Sequence, residues 1–183
     1  MGEKNYLGTV LEELQDSLMK IKGNEIEALT EKMSPDTRIF CDAAGRSRLQ
    51  IEGFAMRLTQ MGWNAFIVGE PTAPAIGPGD LLLTASASGE TPALVQHSGK
   101  AGGIGAKRML ITASPDSSLG RMSDDILVIS APSKADTVRT SVQPMGSLFE
   151  QSLMLVLDAM VLHLMEKYGI SGEKMYANHA NLE

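Results

Sequence analysis

The sequence has one cysteine, Cys41, and aromatic residues make up only 4% of its 183 positions. A single cysteine excludes an internal disulfide and a cysteine-rich metal centre. The sequence has no run of about 18 apolar residues, so no membrane-spanning helix and no membrane partner are expected. The first residues, M-G-E-K-N-Y, lack the apolar segment of an export signal, and a cytoplasmic location is expected. Positive charge is also scarce: 16 Lys and Arg stand against 22 Asp and Glu, a net charge of −6, with no basic cluster. A nucleic-acid groove needs local positive charge, so no nucleic-acid partner is expected. A small phosphate ester stays open, because backbone amides bind one without net positive charge. Three scattered histidines, His97, His163 and His179, form no metal motif. No G-x-x-x-x-G-K-[ST] occurs, and no G-x-G-x-x-G follows the first strand, so nucleotide and dinucleotide sites are not expected. Neither a metal nor a cofactor is called for.

What is present is an ordinary globular composition, 43% hydrophobic and 21% charged, long enough for one domain over residues 1–183 with a sizeable core. Tyr6, Leu7, Val10, Leu11, Leu14, Leu18 and Ile21 recur at helical spacing and predict an amphipathic helix over 3–21. A short helix is expected around Glu25 to Met33. Strands are predicted at Thr37 to Asp42, Ala65 to Val68, Asp80 to Thr84, Arg108 to Thr112 and Asp125 to Ile129. Helices are expected at Leu49 to Met61, Pro92 to Ala101, Ser118 to Met122 and Ser147 to Lys167. A polar loop is expected over Ala131 to Val142, and a polar tail over 168–183. Short apolar strands alternating with helices predict an α/β fold, a five-stranded parallel sheet covered on both faces. The last helix looks too apolar to have a free face, which predicts an oligomer that buries it together with the first helix.

In open parallel sheets ligands sit beyond the carboxyl ends of the strands. Two turns lie there: A-A-G-R-S over Ala43 to Ser47, and A-S-A-S-G-E-T over Ala85 to Thr91. Thr91-Pro92 has the form of a helix start, which exposes free N–H groups and a partial positive charge. Ser86, Ser88 and Thr91 add hydroxyl donors, and Gly89 allows the backbone to bend around an anion. A phosphate would accept all of these bonds. A plain capped βα turn explains the same residues equally well.

Glu150 offers a second choice. It stands three residues after Ser147, the spacing of a capping box, and capping alone would explain it. It also shares an apolar stripe with Met154, Leu157 and Val161. A carboxylate on such a face, in the first turn of a helix, is a candidate general base. His179 lies in a short polar tail where solvation is the ordinary expectation. His97 is expected on a helix surface and His163 in a core or interface. Cys41 is expected in the core, and the 12 methionines on apolar helix surfaces.

The turn A-G-R-S, the blocks F-A-M-R-L and M-G-W-N-A-F-I-V-G-E, S-x-S-G-E-T, S-V-Q-P-M-G-S-L-F-E-Q and the tail N-H-A-N-L-E together resemble the sugar isomerase (SIS) domain family. More narrowly, they resemble its 6-phospho-3-hexuloisomerase group. S-x-S-G-E-T alone marks only the broad family, whereas the longer blocks and the tail are far more specific. The resemblance implies an α/β sandwich around a five-stranded parallel sheet, assembled as a homotetramer. It implies a sugar-phosphate substrate and interconversion of D-arabino-3-hexulose 6-phosphate with D-fructose 6-phosphate through an enediolate. It also implies a place in formaldehyde assimilation by the ribulose monophosphate pathway, or in pentose synthesis run the other way, with a partner synthase. By the same resemblance Glu150 is the base. Ser47, Ser86, Ala87, Ser88 and Thr91 hold phosphate and sugar. Gly45, Arg46, Gly89 and Glu90 shape or support the turns. His179 assists ring opening or proton transfer, in its own or a neighbouring subunit.

The chain departs from the usual glycine pattern at Ala43, Arg48, Ala85 and Ala87, and Glu52 replaces a frequent lysine. Methyl groups there are expected to narrow the loop, with strain wherever positive φ is needed. Arg48 is expected either to add a phosphate contact or to block the entrance. These departures keep open a non-catalytic module that senses a sugar phosphate, and an isomerase of another phosphosugar.

Overall fold

The chain begins with two helices, α1 (Tyr6–Leu18) and α2 (Gly23–Thr30), and then alternates strands with helices. The strands are β1 (Ile39–Ala43), β2 (Ala65–Ile67), β3 (Leu81–Ala85), β4 (Lys107–Thr112) and β5 (Asp125–Val128). Among them run α3 (Arg46–Gln60), α4 (Pro92–Ile104) and α5 (Ser118–Met122), followed by α6 (Ser147–Tyr168) and α7 (Gly172–Ala177). This computed structural model describes residues 4–132 and 141–182, so residues 133–140 of the expected polar loop lie outside the described residues.

All five strands are parallel, in the order β2-β1-β3-β4-β5, with Asp42 beside Thr84 and Ala43 beside Ala85. Side chains alternate across this sheet. Cys41, Ala43, Leu81, Leu83 and Ala85 join Ile51, Phe54, Phe149 and Leu153 of α3 and α6 in the main core. Phe40 and Leu82 point to the opposite face, where Ala101 of α4 meets them. Leu94, Leu110 and Leu119 close that layer between α4, β4 and α5. The result is the expected three-layer α/β sandwich, with β1 and β3 at its centre. Cys41 is fully buried, and burial followed by the nearby Asp42 charge pushes its thiol pKa up to about 12. It is a core residue, as expected.

By length and composition α6 could cross a membrane. It has instead become the main core helix, with Phe149, Leu153, Met160 and Leu164 fully buried. Helices α1, α2 and α3 all pack against it. One face of α6 stays open, with Met154, Leu155 and Leu162 exposed on it.

Three boundaries differ from expectation in ways that matter for the site. Gly45, at φ 60, caps α3, so Arg46 and Ser47 belong to the first helical turn and not to a loop before Leu49. α4 runs to Ile104 and stops where Gly105 turns left-handed at φ 93. The polar tail contains α7, whose cap Ser171 accepts a bond from Lys174 N.

Candidate active site

β1 feeds α3 on one face of the sheet, and β3 feeds α4 on the other. The two exits therefore diverge at the carboxyl edge, a topological switch point that opens a crevice. α6 enters the same place from the other end of the chain. Gly45, Thr91 and Gly146 are the N-caps of α3, α4 and α6, and none has a side-chain capping bond. Ser47, Thr91 and Gly146 line one cleft of about 90 Å³, together with Ala44, Ala85, Ser86, Ala87, Ser88, Leu94, Phe149 and Glu150. Three helix N-termini thus turn uncapped N–H groups and partial positive charge toward one point. Such a focus suits a single anionic group.

The serine turn is held from behind. Ser86 Oγ accepts a bond from Gly89 N at 3.1 Å, which leaves its hydroxyl proton for a ligand. Ser88 Oγ accepts from Glu90 N at 3.3 Å. Glu90 turns away from the cleft and accepts from Ser118 N at 2.7 Å, tying the turn to α5. That backbone bond, with the Ser118 side chain, lowers its pKa. Gly89 sits at φ 64, and its O accepts from Leu119 N. Gly89 and Glu90 shape the turn, then, and the hydroxyls and N–H groups face the cleft. Thr91 caps α4 by its backbone alone.

Glu150 does not form a capping box. The N-cap is Gly146, whose O accepts from Glu150 N, and Ser147 is already helical. Its carboxylate lies on the cleft wall, 3% exposed as a residue, and pairs with Arg46 Nη1 at 2.9 Å. Arg46 Nη1 also donates to Ser147 Oγ at 3.1 Å. The guanidinium supplies the countercharge that a buried carboxylate requires and aims it. Arg46 is therefore more than a residue that shapes its turn.

The departures from the glycine pattern are accommodated. Among the described residues the one non-glycine with positive φ is Met145, so Ala43, Ala85 and Ala87 carry no left-handed strain. Arg48 neither meets the phosphate turn nor closes it. Its Nε donates to Glu52 at 2.7 Å, Nη1 to Val68 O at 3.0 Å and Nη2 to Glu70 at 2.8 Å, which clamps the end of β2 to α3. Glu52 is its helical partner.

His179 is not brought to this cleft within the subunit. Asn178 Nδ2 donates to Gln60 O at 2.9 Å and fixes the tail at the far end of α3 from Ser47. That separation is about 20 Å at 1.5 Å per residue. His179 is exposed, stacks on Tyr176 and holds Ala180 O through Nδ1. His163 is half-buried, as expected of a core or interface position, and shares a 2.6 Å bond with Thr30 Oγ1. His97, expected on a helix surface, keeps its side chain 41% exposed and also binds the buried Asp42 through Nδ1 at 2.8 Å. Burial raises the Asp42 pKa, against the opposing effects of His97 and Arg48.

One further contributor was not legible in the sequence: Glu13 of α1, which accepts bonds from Ser141 Oγ (2.8 Å), Val142 N (2.7 Å) and Gln143 Nε2 (2.9 Å). It anchors the turn that delivers Met145, left-handed at φ 58, and Gly146 to the start of α6. Burial opposes ionisation of Glu13, but the bonds from Gln143, Val142 and Ser141 outweigh it and hold its pKa below the usual 4.5. Glu13→Gln keeps one acceptor oxygen and turns donors on the rest, so it is expected to lower Tm by a few degrees and turnover several-fold. A lowered folded pKa stabilises above the unfolded value and is lost as pH falls. The Tm gap between wild type and Glu13→Gln should therefore shrink progressively as pH falls below 4.5. An unchanged gap in thermal melts from pH 7 to 3 would refute the ionic anchor.

A model of the SIS domain matches residues 32–161. The chain belongs to the SIS domain family. The cleft lies between the β1 and β3 exits and the start of α6, all inside the matched region. The chain is 40% identical to the 3-hexulose-6-phosphate isomerase of Bacillus subtilis, over 100% of both proteins. It is 37% identical to the protein of the same name from Mycobacterium gastri, over 98% of this chain and 90% of that one. A crystal structure from Methanococcus jannaschii, 24% identical, superposes with a TM-score of 0.84 over 98% of this chain and 100% of its own, so the two share a fold.

Proposed function

We propose that this SIS domain interconverts D-arabino-3-hexulose 6-phosphate and D-fructose 6-phosphate. The observation that carries the reading is one buried carboxylate, Glu150, in the wall of a cleft that also gathers serine hydroxyls and three helix N-termini. Relatives named 3-hexulose-6-phosphate isomerase align with the chain end to end.

The chemistry follows from the substrate. The phosphate binds the Ser86 to Thr91 turn at the start of α4. Glu150 removes the proton from C2, next to the C3 carbonyl, and the electron pair forms the 2,3-enediolate. The proton returns to C3 while the O2 proton passes to O3, leaving the carbonyl at C2. Negative charge that develops on the enediolate oxygens faces the uncapped N-termini of α3 and α6. Carbonyl migration is internal proton transfer and calls for no electron acceptor. The reading calls for a partner synthase that makes or consumes the hexulose phosphate, in formaldehyde assimilation by the ribulose monophosphate pathway or in pentose synthesis run the other way. The argument for a pure sensor rested on the altered glycines and Arg48, and neither obstructs the cleft.

The working unit of this reading is a homotetramer. Support comes from apolar side chains left exposed on α1 (Tyr6, Leu7, Leu11) and α6 (Met154, Leu155, Leu162). In that assembly His179 serves a neighbouring subunit's cleft, since its own lies at the other end of α3.

The test is conversion of D-arabino-3-hexulose 6-phosphate, made in situ, to fructose 6-phosphate. Rapid turnover, with exchange of the migrating proton for solvent deuterium, is expected. Absence of turnover by folded protein would overturn the assignment. Equal mixtures of Glu150→Gln and His179→Ala subunits should regain roughly a quarter of wild-type activity by random assembly. Wild-type turnover by His179→Ala alone would place His179 outside the reaction, and no recovery from two inactive variants would overturn its action in a neighbouring cleft.

A further inference from the structure

The crossover from β2 to β3 carries no helix. Residues 68–80 run as an irregular loop, so the sheet face over Phe40 and Leu82 lacks the cover that a crossover helix gives elsewhere. A cavity of about 250 Å³ remains there, larger than the serine cleft and on the opposite side of the sheet from α6. Its floor is Phe40, Leu82, Ile76 and Ala101, and His97 and Lys100 of α4 stand on its wall.

The charged groups at this cavity differ in how they are held. Glu70 on the rim is held at 2.8 Å by Arg48, which it shares with Glu52. Asp42, 2% exposed, is held by His97 Nδ1, which fixes the imidazole and leaves Nε2 as its second polar edge. Lys100 has no salt-bridge partner among the described residues. An apolar concavity with one unmatched cation and one oriented imidazole has the make-up of a ligand site.

We propose that this cavity binds a small carboxylic acid with a flat or branched apolar body. The body lies on Phe40 and Leu82, and the carboxylate meets Lys100, beside the imidazole that Asp42 holds in place. The site is separate from the catalytic cleft, and the proposal does not depend on the isomerase reading. The two share α4, which carries Thr91 and Leu94 at the cleft and His97 and Lys100 at the cavity one turn on. An occupant is thus placed to influence the phosphate turn.

The probe is benzoate, titrated into the full chain while the imidazole resonances are followed by NMR; three histidines make the assignment simple. Saturable shifts at His97, with His163 and His179 unmoved, are expected, and unchanged by inorganic phosphate. Lys100→Gln should weaken binding by about tenfold, the loss of one charge-assisted bond. Benzyl alcohol, which lacks the charge, should bind more weakly than benzoate and be indifferent to Lys100→Gln. No saturable shift at His97 would overturn the proposal, including the case in which a second copy of the chain covers the cavity. Displacement of benzoate by phosphate would overturn it too, by assigning the shift to the catalytic cleft.

Discussion

Glu150→Gln is expected to lower kcat by about a thousandfold, the middle of the range for loss of a general base. KM should stay within a few-fold, because the proposed phosphate contacts are the serine turn and helix N-termini that the substitution leaves alone. Exchange of the substrate's carbon-bound proton with solvent deuterium should disappear along with turnover. The amide has nearly the shape of the carboxylate, so the cleft wall stays filled. Arg46 loses its ionic partner but its side chain is 56% exposed, so water solvates it and little stability is lost. Unchanged melting beside lost turnover would therefore mark a chemical defect. A kcat within tenfold of wild type would remove Glu150 as the base and leave it as a structural partner of Arg46.

The second large effect concerns folding of the phosphate turn. Gly89 adopts φ 64, and an added Cβ there would overlap Ser117 Oγ and come within 2.5 Å of Ser117 Cβ. Ser117 has no easy retreat, since it caps α5 and its Oγ accepts from Gly120 N at 3.2 Å. Left-handed backbone costs a residue with a Cβ about 1 kcal/mol or more, and forced overlap adds about 1–3 kcal/mol. Gly89→Ala should therefore lower Tm by roughly 5–12 °C for a chain of this size. It should also weaken inorganic phosphate binding, because the turn and α5 must separate. Ser117→Gly in the same chain removes the overlapping atoms and should recover part of the loss, though not the φ penalty. If Gly89→Ala melts like wild type, the turn is looser than its bonds to α5 imply.

The sheet was readable in advance because each strand is a short apolar run between polar turns, and this pattern is local. Strand positions came within two residues. Helix starts were less readable: Arg46 and Ser47 look like turn residues until Gly45 takes φ 60 and begins α3 one turn early. Ser147 and Glu150 have the spacing of a capping box, yet Gly146 takes the cap, because the preceding turn is anchored by Glu13 from the other end of the chain. The tail reads as polar and unstructured, but a serine cap and a bond to Gln60 organise α7 against α3.

By itself the sequence determined the class of fold, the two turns at the carboxyl edge and the family, since these rest on periodicity and on runs of neighbouring residues. It left two questions open, whether the serine turn and Glu150 are structural or chemical. Only the tertiary structure brings the starts of α3, α4 and α6 to one cleft and pairs Glu150 with Arg46, 104 positions away in the chain, and the proposed chemical roles rest on that arrangement. The direction of Arg48, the Asp42–His97 bond and the Glu13 anchor were settled in the same way. Each depends on which distant partner packing brings within hydrogen-bond reach, and no local pattern encodes that.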